Sequence, residues 1–127
     1  MADANHIRQV YERYPELISK ADVDAIVDLY AEDGKIEDPI GSDLHIGRDA
    51  IRAFYEAAIG AITMRQAGPV RVAGNEAATP LVVLMGSGDG RMAIDIISAM
   101  VFDEDGKIAS MRAWWSADAV RRARPEE

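Results

Sequence analysis

The chain has 127 residues, no cysteine and a formal net charge of −8, with 22 acidic against 14 basic side chains. Its length predicts a single domain spanning residues 1–127. The negative charge argues against binding to nucleic-acid phosphates, and the lack of cysteine excludes disulfides and thiolate chemistry. Because no run of 18 apolar residues occurs, we expect no membrane span and no leader segment, and the lack of cysteine suits a cytoplasmic location.

The first predicted element is a helix over residues 4–20. Apolar side chains recur there at helical spacing, from Ile7 to Ile18. Pro15 lies inside this pattern. Since a proline removes one backbone hydrogen-bond donor, we expect it to kink or break the helix.

Two further helices are predicted on either side of a short strand. Asp22 is a suitable N-cap for a second helix that runs to about Ala31, and Gly34 is expected to end it. Residues 35–38 predict the strand. Residues 48–59 carry apolar side chains on one helical face and predict the third helix.

From residue 63 onward the apolar period changes to two, which is typical of strands. Four segments show this period: 63–73, 77–86, 91–103 and 107–116. Turn-forming stretches separate them. Three helices followed by a four-strand antiparallel meander indicate an α+β fold. We expect a curved antiparallel sheet that wraps the helices into a cone with an apolar pocket.

Metal and phosphate sites find no support in the sequence. The two histidines, His6 and His45, have no second ligand at a useful spacing, and neither GxGxxG nor GxxxxGK[ST] occurs. The glycine-rich stretch GSGDG, residues 86–90, lies between two strand patterns and predicts a hairpin turn. We therefore expect no bound metal and no cofactor.

The stretch KIEDPIG, residues 35–41, places Asp38 between an apolar strand and a proline. Proline disfavours the α region for the residue before it, so the backbone of Asp38 should be extended or turning. The carboxylate itself has two interpretations. It is either a solvated turn aspartate or a carboxylate held against an apolar pocket, where it can move protons.

Longer stretches of the chain carry a family resemblance: RYPELISKADVDAIVDLYAEDGKIEDPIG, GRDAIRAFY, AIDIISAMVFDEDGKI and MRAWWS. With these segments the chain resembles the bacterial Δ5-3-ketosteroid isomerases, within the fold family of nuclear transport factor two and scytalone dehydratase. The resemblance covers Tyr14 to Trp115 without large gaps. It implies an enzyme without a cofactor that moves the double bond of a 3-oxo-Δ5-steroid into conjugation with the ketone.

The resemblance also implies catalytic roles. The proton-transfer base falls on Asp38 and an oxyanion donor on Tyr14, as part of a known site in which a carboxylate base faces a tyrosine and a protonated carboxylic acid. Such chemistry is physically sound, because removing a weakly acidic proton next to a ketone needs a base at the carbon and a donor at the oxygen. Without the resemblance, Tyr14 would be interpreted as a core residue with a satisfied hydroxyl.

Five other residues match supporting positions of that family. Tyr30 and Tyr55 match positions that extend a hydrogen-bond chain from the catalytic tyrosine, and chained hydroxyls strengthen the terminal donor. Phe54, Met111 and Trp115 match pocket positions, and the indole N–H of Trp115 is expected to hold the catalytic carboxylate. Plain core packing is the alternative for these three.

One position departs from the family pattern. Counting back from the turn DEDGK, the family's second donor, an aspartic acid, falls on Ser98. Asp95 does not replace it, because strand alternation should turn Asp95 to the opposite face. A serine hydroxyl can donate without a raised pKa, although its bond to a developing oxyanion should be weaker. The alternative is a buried serine bonded to the backbone.

We therefore expect a steroid Δ-isomerase, with two alternatives. One is a polyketide cyclase or dehydratase of the same fold, which would usually add a pocket histidine. The other is a non-catalytic module for an apolar ligand, in which Asp38 has no role.

Two partners are expected, a 3-oxosteroid and a second copy of the chain. The predicted outer face of the strand at 91–103 is apolar at the following positions: Ala93, Ile97, Ala99 and Val101. Such a face is too apolar to leave in water, and members of the resembled family are dimers. We therefore expect a homodimer through this sheet.

Overall fold

A computed structural model describes residues 2–127 and shows three helices against one curved sheet. The helices are α1 (Ala4–Lys20), α2 (Val23–Asp28) and α3 (Arg48–Ala58). The strands are β1 (Tyr30–Glu37), β2 (His45–Ile46), β3 (Ile62–Gln66), β4 (Arg71–Ala73), β5 (Glu76–Met85), β6 (Met92–Phe102), β7 (Ile108–Trp114) and β8 (Val120–Arg122). This architecture confirms the predicted α+β fold. No helix in the described range is long and apolar enough to cross a membrane.

The sheet is ordered β2-β1-β7-β6-β5-β3, with β4 added to β5 and β8 added to β6. Its described pairs are antiparallel except β1 and β7, which run parallel. A parallel pair needs a long crossover, and here the crossover contains α3 and most of the meander. The pairing matters for the site because the ends of β1 and β7 lie at the same edge of the sheet.

Helix α1 is a single helix of 17 residues that includes Pro15, so the proline does not break it. The Asp3 carboxylate caps its start by accepting a hydrogen bond from the backbone N–H of His6 at 3.0 Å. The inner side of α1 is buried against the sheet, including Tyr11, Tyr14 and Pro15 itself. Tertiary packing of this apolar face outweighs the one lost backbone bond.

The second helix is shorter than predicted, because β1 already begins at Tyr30. Pairing with a distant strand explains the difference: the backbone N–H of Ile108 donates to the carbonyl of Leu29 at 2.8 Å. The prediction that Gly34 ends a helix is therefore wrong. Gly34 lies within β1, where a Cβ would come within 3.0 Å of the carbonyl oxygens of Ala31 and Ile108, so the strand needs glycine at this close approach.

The strands of the meander follow the predicted segments, except that one predicted strand is divided into two. The predicted strand over residues 63–73 is two strands, β3 and β4, and both pair with β5. The stretch GSGDG connects the antiparallel strands β5 and β6, as a hairpin connection should, and contains a short 3₁₀ turn. Along β6 the burial alternates, with Ser98 and Met100 buried against the helices and Asp95 and Ile97 exposed.

Candidate active site

An apolar cavity of about 280 Å³ is lined by residues of α1, α3 and the strands β3, β5 and β6. Its volume is near the lower end of the range typical of small-molecule sites. Most of the lining is aliphatic. One carboxylate, Asp38, lines it together with the aromatic side chains of Tyr14, Phe54, Tyr55 and Trp115. The cavity therefore offers one ionisable acid in an otherwise apolar surface.

Asp38 is held by a neutral donor. The indole Nε1–H of Trp115 donates to Asp38 Oδ1 at 2.6 Å. Burial raises the pKa of the Asp38 carboxyl above its ordinary value, and the Trp115 hydrogen bond and the nearby His45 oppose that rise. Asp38 is therefore a better proton acceptor than a solvated aspartate, and one of its oxygens has a fixed direction.

The parallel pairing of β1 and β7 brings the two partners together. Glu37 ends β1 and pairs in register with Arg112 of β7, so Asp38 and Trp115 follow the same ends of neighbouring strands. The turn after Asp38 is fixed to β7 by a hydrogen bond from the N–H of Ile40 to the carbonyl of Ala113 at 2.8 Å. Backbone contacts on both sides of Asp38 thus set the direction of its side chain.

Three buried tyrosines form a continuous hydroxyl chain. The hydroxyls of Tyr14 and Tyr55 are 2.8 Å apart, and those of Tyr55 and Tyr30 are 2.6 Å apart. Burial raises the pKa values of all three phenols, so they stay protonated at neutral pH. Three hydroxyl protons serve two hydrogen bonds, so one proton is left over. When Tyr30 donates to Tyr55 and Tyr55 to Tyr14, the spare proton is that of Tyr14 and can be donated to a ligand in the cavity.

Three of the residues predicted for the site, Tyr30, Ser98 and Met111, do not line the cavity. Ser98 is buried, and its Oγ lies 3.2 Å from the hydroxyl of Tyr11. Met111 is buried in the core. Asp95 is on the opposite face of β6, as strand alternation predicts, and pairs with Arg121 at 2.8 Å.

Tyr11 is the residue that sequence reasoning missed. The helical pattern of residues 4–20 places Tyr11 among the packing residues of α1, although it stands one turn before Tyr14. That spacing places the two phenols on the same side of the helix, which was the available signal. No motif connects Tyr11 with Ser98, because the two residues are 87 positions apart.

The site offers little to a metal ion. Among residues 2–127, no group of three or more His, Asp or Glu side chains is placed to hold one. The ring of His6 is within 2.7 Å of the carbonyl of Gly106, and the ring of His45 packs on Phe54 with centroids 4.9 Å apart. Asp38 is the single carboxylate of the lining, and one ligand does not make a metal site.

Known proteins share this fold and much of this sequence. The model of the SnoaL-like domain family matches residues 11–111. A steroid Delta-isomerase from Nocardioides simplex is 38% identical over 110 residues, which cover 87% of this chain and 89% of that protein. Epoxide hydrolase LasB from Streptomyces lasalocidi is 27% identical over 127 residues, covering 81% of this chain but only 45% of LasB.

A solved structure is similar over nearly the whole chain. It belongs to SalBIII, an epoxide hydrolase/cyclase-like enzyme with a role in pyran ring formation in the polyether salinomycin. The TM-score is 0.86 at 28% identity, with 97% of this chain and 100% of that chain covered. LasB and SalBIII show that the fold carries more than one chemistry. The match to the steroid Delta-isomerase confirms the predicted resemblance and supports an isomerase, and the chain belongs to the SnoaL-like domain family, with the fold of nuclear transport factor two.

Proposed function

We propose that this protein is a steroid Δ-isomerase that moves the Δ5 double bond of a 3-oxosteroid to the conjugated Δ4 position. The observation that carries the proposal is the presence, in one apolar cavity, of a half-buried carboxylate, Asp38, and the end of a tyrosine chain, Tyr14. The identity of 38% to a steroid Delta-isomerase over most of both chains supports the same reaction.

Asp38 is the base in this proposal. It takes the proton from C4 of the steroid, which leaves a dienolate, and then returns the same proton to C6, so no cofactor takes part. Trp115 occupies Oδ1, which leaves Oδ2 for the proton. Both carbons are reached from one face of the steroid, so a single carboxylate serves both steps.

Tyr14 is the donor at the other end of the reacting system. Negative charge develops on the oxygen at C3 as the proton leaves C4, and the Tyr14 hydroxyl donates to it. Tyr30 donates to Tyr55 and Tyr55 to Tyr14, so that each bond polarises the next. A donor of this kind is typically worth ~10²–10³ in rate.

The remaining predicted residues have supporting roles. Phe54 and Trp115 line the cavity and are proposed to contact the steroid rings, whereas Met111 supports the site from the core. Ser98 is proposed to assist the oxyanion through its hydrogen bond with Tyr11. The enzyme of the proposal therefore has one base and more than one hydroxyl donor.

Opening of an epoxide is a second candidate, because LasB and SalBIII have this fold. That reaction needs an acid at the epoxide oxygen while a base activates the attacking hydroxyl. Asp38 is the only carboxylate among the lining residues described, and burial raises the pKa of Tyr14 further above neutral pH. Tyr14 is therefore a weak acid for this task, and the isomerase is the better fit.

The test is the absorbance of the conjugated enone that forms from 5-androstene-3,17-dione. We expect the purified protein to accelerate its appearance and the Asp38→Asn variant to lose that acceleration. Steroid binding without turnover would support the non-catalytic alternative instead. Turnover of an epoxide-containing polyether precursor, with no effect on the steroid, would support the second candidate.

A further inference from the structure

We propose that Tyr11 donates a hydrogen bond to the oxyanion of the substrate, and that Ser98 is a positioning residue that acts through Tyr11. The proposal rests on the isomerase function proposed above. It names a second catalytic donor for the same site, on a helix rather than on a strand.

Tyr11 and Ser98 occupy the layer next to the cavity. On α1, Ile18 and Tyr14 line the cavity, and Tyr11 is the next residue of that face. On β6, Ile94 and Ile96 line it, and Ser98 is the next inward-facing residue. Neither Tyr11 nor Ser98 lines the cavity itself, and both are buried one step deeper along the same helix and strand. For the proposed contact, the substrate oxygen has to reach past Tyr14 into this layer.

A count of protons shows that the pair has a donor to spare. The two hydroxyls are 3.2 Å apart, and this is the only side-chain hydrogen bond that either makes within residues 2–127. Two protons serve this one bond, so the second proton has no protein acceptor there. A buried donor without an acceptor is unfavourable, and a ligand oxygen would satisfy it. The tyrosine chain also has one spare proton, and a substrate oxygen has two lone pairs, so it can accept from both donors of the proposal.

Of the two hydroxyls, that of Tyr11 is the better candidate for the hydrogen bond to the substrate oxygen. A phenol is more acidic than an alkyl hydroxyl and forms a stronger hydrogen bond to a negatively charged oxygen. Its side chain is long, and it stands one turn from Tyr14 on the same helix face. Burial raises the pKa of Tyr11, so it keeps its proton at neutral pH. Ser98 then donates to Tyr11 and fixes its direction.

This arrangement explains why a serine stands at position 98. In the resembled family that position carries an aspartic acid, whose carboxyl ends farther from the strand than a serine Oγ. Here the space next to Ser98 Oγ is taken by the Tyr11 hydroxyl. The second donor has thus moved from the strand to the helix. A phenol also donates at neutral pH without the raised pKa that a carboxylic acid needs.

The experiment is a double-mutant cycle with Tyr11→Phe and Ser98→Ala, using 5-androstene-3,17-dione as substrate. We expect Tyr11→Phe to lower kcat by about 10- to 100-fold, less than a sole oxyanion donor because Tyr14 remains. Affinity for the neutral product 4-androstene-3,17-dione should change by less than about threefold, since the bond strengthens only as charge develops. Ser98→Ala should cost less alone, and less than about twofold when Tyr11 is already phenylalanine.

Three results would overturn the inference. Tyr11→Phe with kcat within about threefold of the parent removes the donor role, given the expected loss. Equal losses from Ser98→Ala in both backgrounds would show that Ser98 itself donates. If Tyr11→Phe does not fold by circular dichroism, Tyr11→Met replaces it in the cycle: kcat within about threefold of the parent contradicts the inference, and a loss of about 10- to 100-fold at unchanged product affinity supports it.

The two proposals fail in different ways. If the parent protein does not isomerise the steroid, or if Tyr14→Phe retains full activity, the proposed function fails. If Tyr14→Phe loses activity while Tyr11→Phe does not, only the second donor is lost. Tyr14→Phe therefore belongs in the same series as the reference variant.

Discussion

On the outer face of the sheet, Glu37 and Asp95 are each paired with an arginine, at 3.4 and 2.8 Å, whereas Asp38 has no such partner in the part of the chain described. The N–H of Gly41, followed by Arg112, lowers the pKa of Glu37, and Arg121 lowers that of Asp95. Burial raises the pKa of Asp38. Adjacent residues of one chain, Glu37 and Asp38, therefore have carboxyls shifted in opposite directions.

The difference shows what makes a carboxylate useful as a base. Exposed ion pairs such as that of Asp95 contribute little to stability and leave a weakly basic group. Asp38 is the more basic group because burial removes water from it and, in the described residues, no arginine pairs with it. Its folded pKa lies above its unfolded value, so its ionisation opposes folding, and this cost appears as the pH rises through the raised pKa. The inner face thus gives up some stability to obtain a proton acceptor.

The largest effect is expected from removing the inner carboxylate. Asp38→Asn keeps the shape and the acceptor for Trp115 but removes the charge, so kcat with 5-androstene-3,17-dione should fall by about 10²–10⁴-fold. Steroid binding should persist. The matched control is Asp95→Asn on the outer face, which should leave kcat within about twofold because an exposed pair contributes little. Turnover of Asp38→Asn within about threefold of the parent would show that Asp38 is not the base.

The next largest effect concerns Tyr14. Tyr14→Phe retains the ring and deletes the hydroxyl, so kcat should fall by ~10²–10³-fold with an unchanged circular dichroism spectrum. Tyr30→Phe, at the far end of the hydroxyl chain, is the graded control and should cost less, because Tyr30 only polarises the donor. A larger loss for Tyr30→Phe than for Tyr14→Phe, or a loss of folding in the latter, would favour a core role for Tyr14.

The outer face is also predicted to differ from the inner face in what it binds. Ile97, Trp114 and Val120 are 47%, 40% and 39% exposed, and Ile97 pairs in register with Trp114. We predict a homodimer through this patch. Ala93, which the sequence pattern assigns to the same surface, is fully buried and cannot contribute to it. Ile97→Glu should halve the mass measured by sedimentation, whereas the control Ile46→Glu, at an exposed residue of β2, should not. A parent protein that sediments as a monomer at micromolar concentration would contradict the prediction.

Sequence reasoning reached the parts of the molecule that local pattern or resemblance can report. Alternation along β6 predicted that Asp95 and Ser98 point in opposite directions, as they do. The resemblance led to the expected contacts of Trp115 with Asp38 and of Tyr14 with Tyr55. The direction of each of these side chains follows either from its neighbours in the sequence or from a motif of the resembled family.

Features that depend on distant segments were missed. The parallel pairing with β7 starts β1 at Tyr30 and places Gly34 inside a strand, although local propensity favours a longer helix there. The helical pattern alone makes Tyr11 a packing residue. Its partner Ser98 is 87 positions away, so no local signal indicates their hydrogen bond. A single sequence gives no register between a helix and a strand, and the contact between Tyr11 and Ser98 depends on such a register.

The smallest predicted effect tests how Asp38 is tuned. The Trp115 indole N–H favours the charged form of Asp38, so Trp115→Phe should raise the pKa of that carboxyl further. Because the base works only when ionised, the acidic limb of the profile of kcat/KM against pH should move to higher pH. The loss of kcat/KM should be severalfold at pH values below the limb and slight above it, where Asp38 is ionised in both proteins. Trp114→Phe, on the outer face, is the matched control and should leave the limb in place. A limb that stays still or moves to lower pH in Trp115→Phe would show that this hydrogen bond does not set the basicity of Asp38.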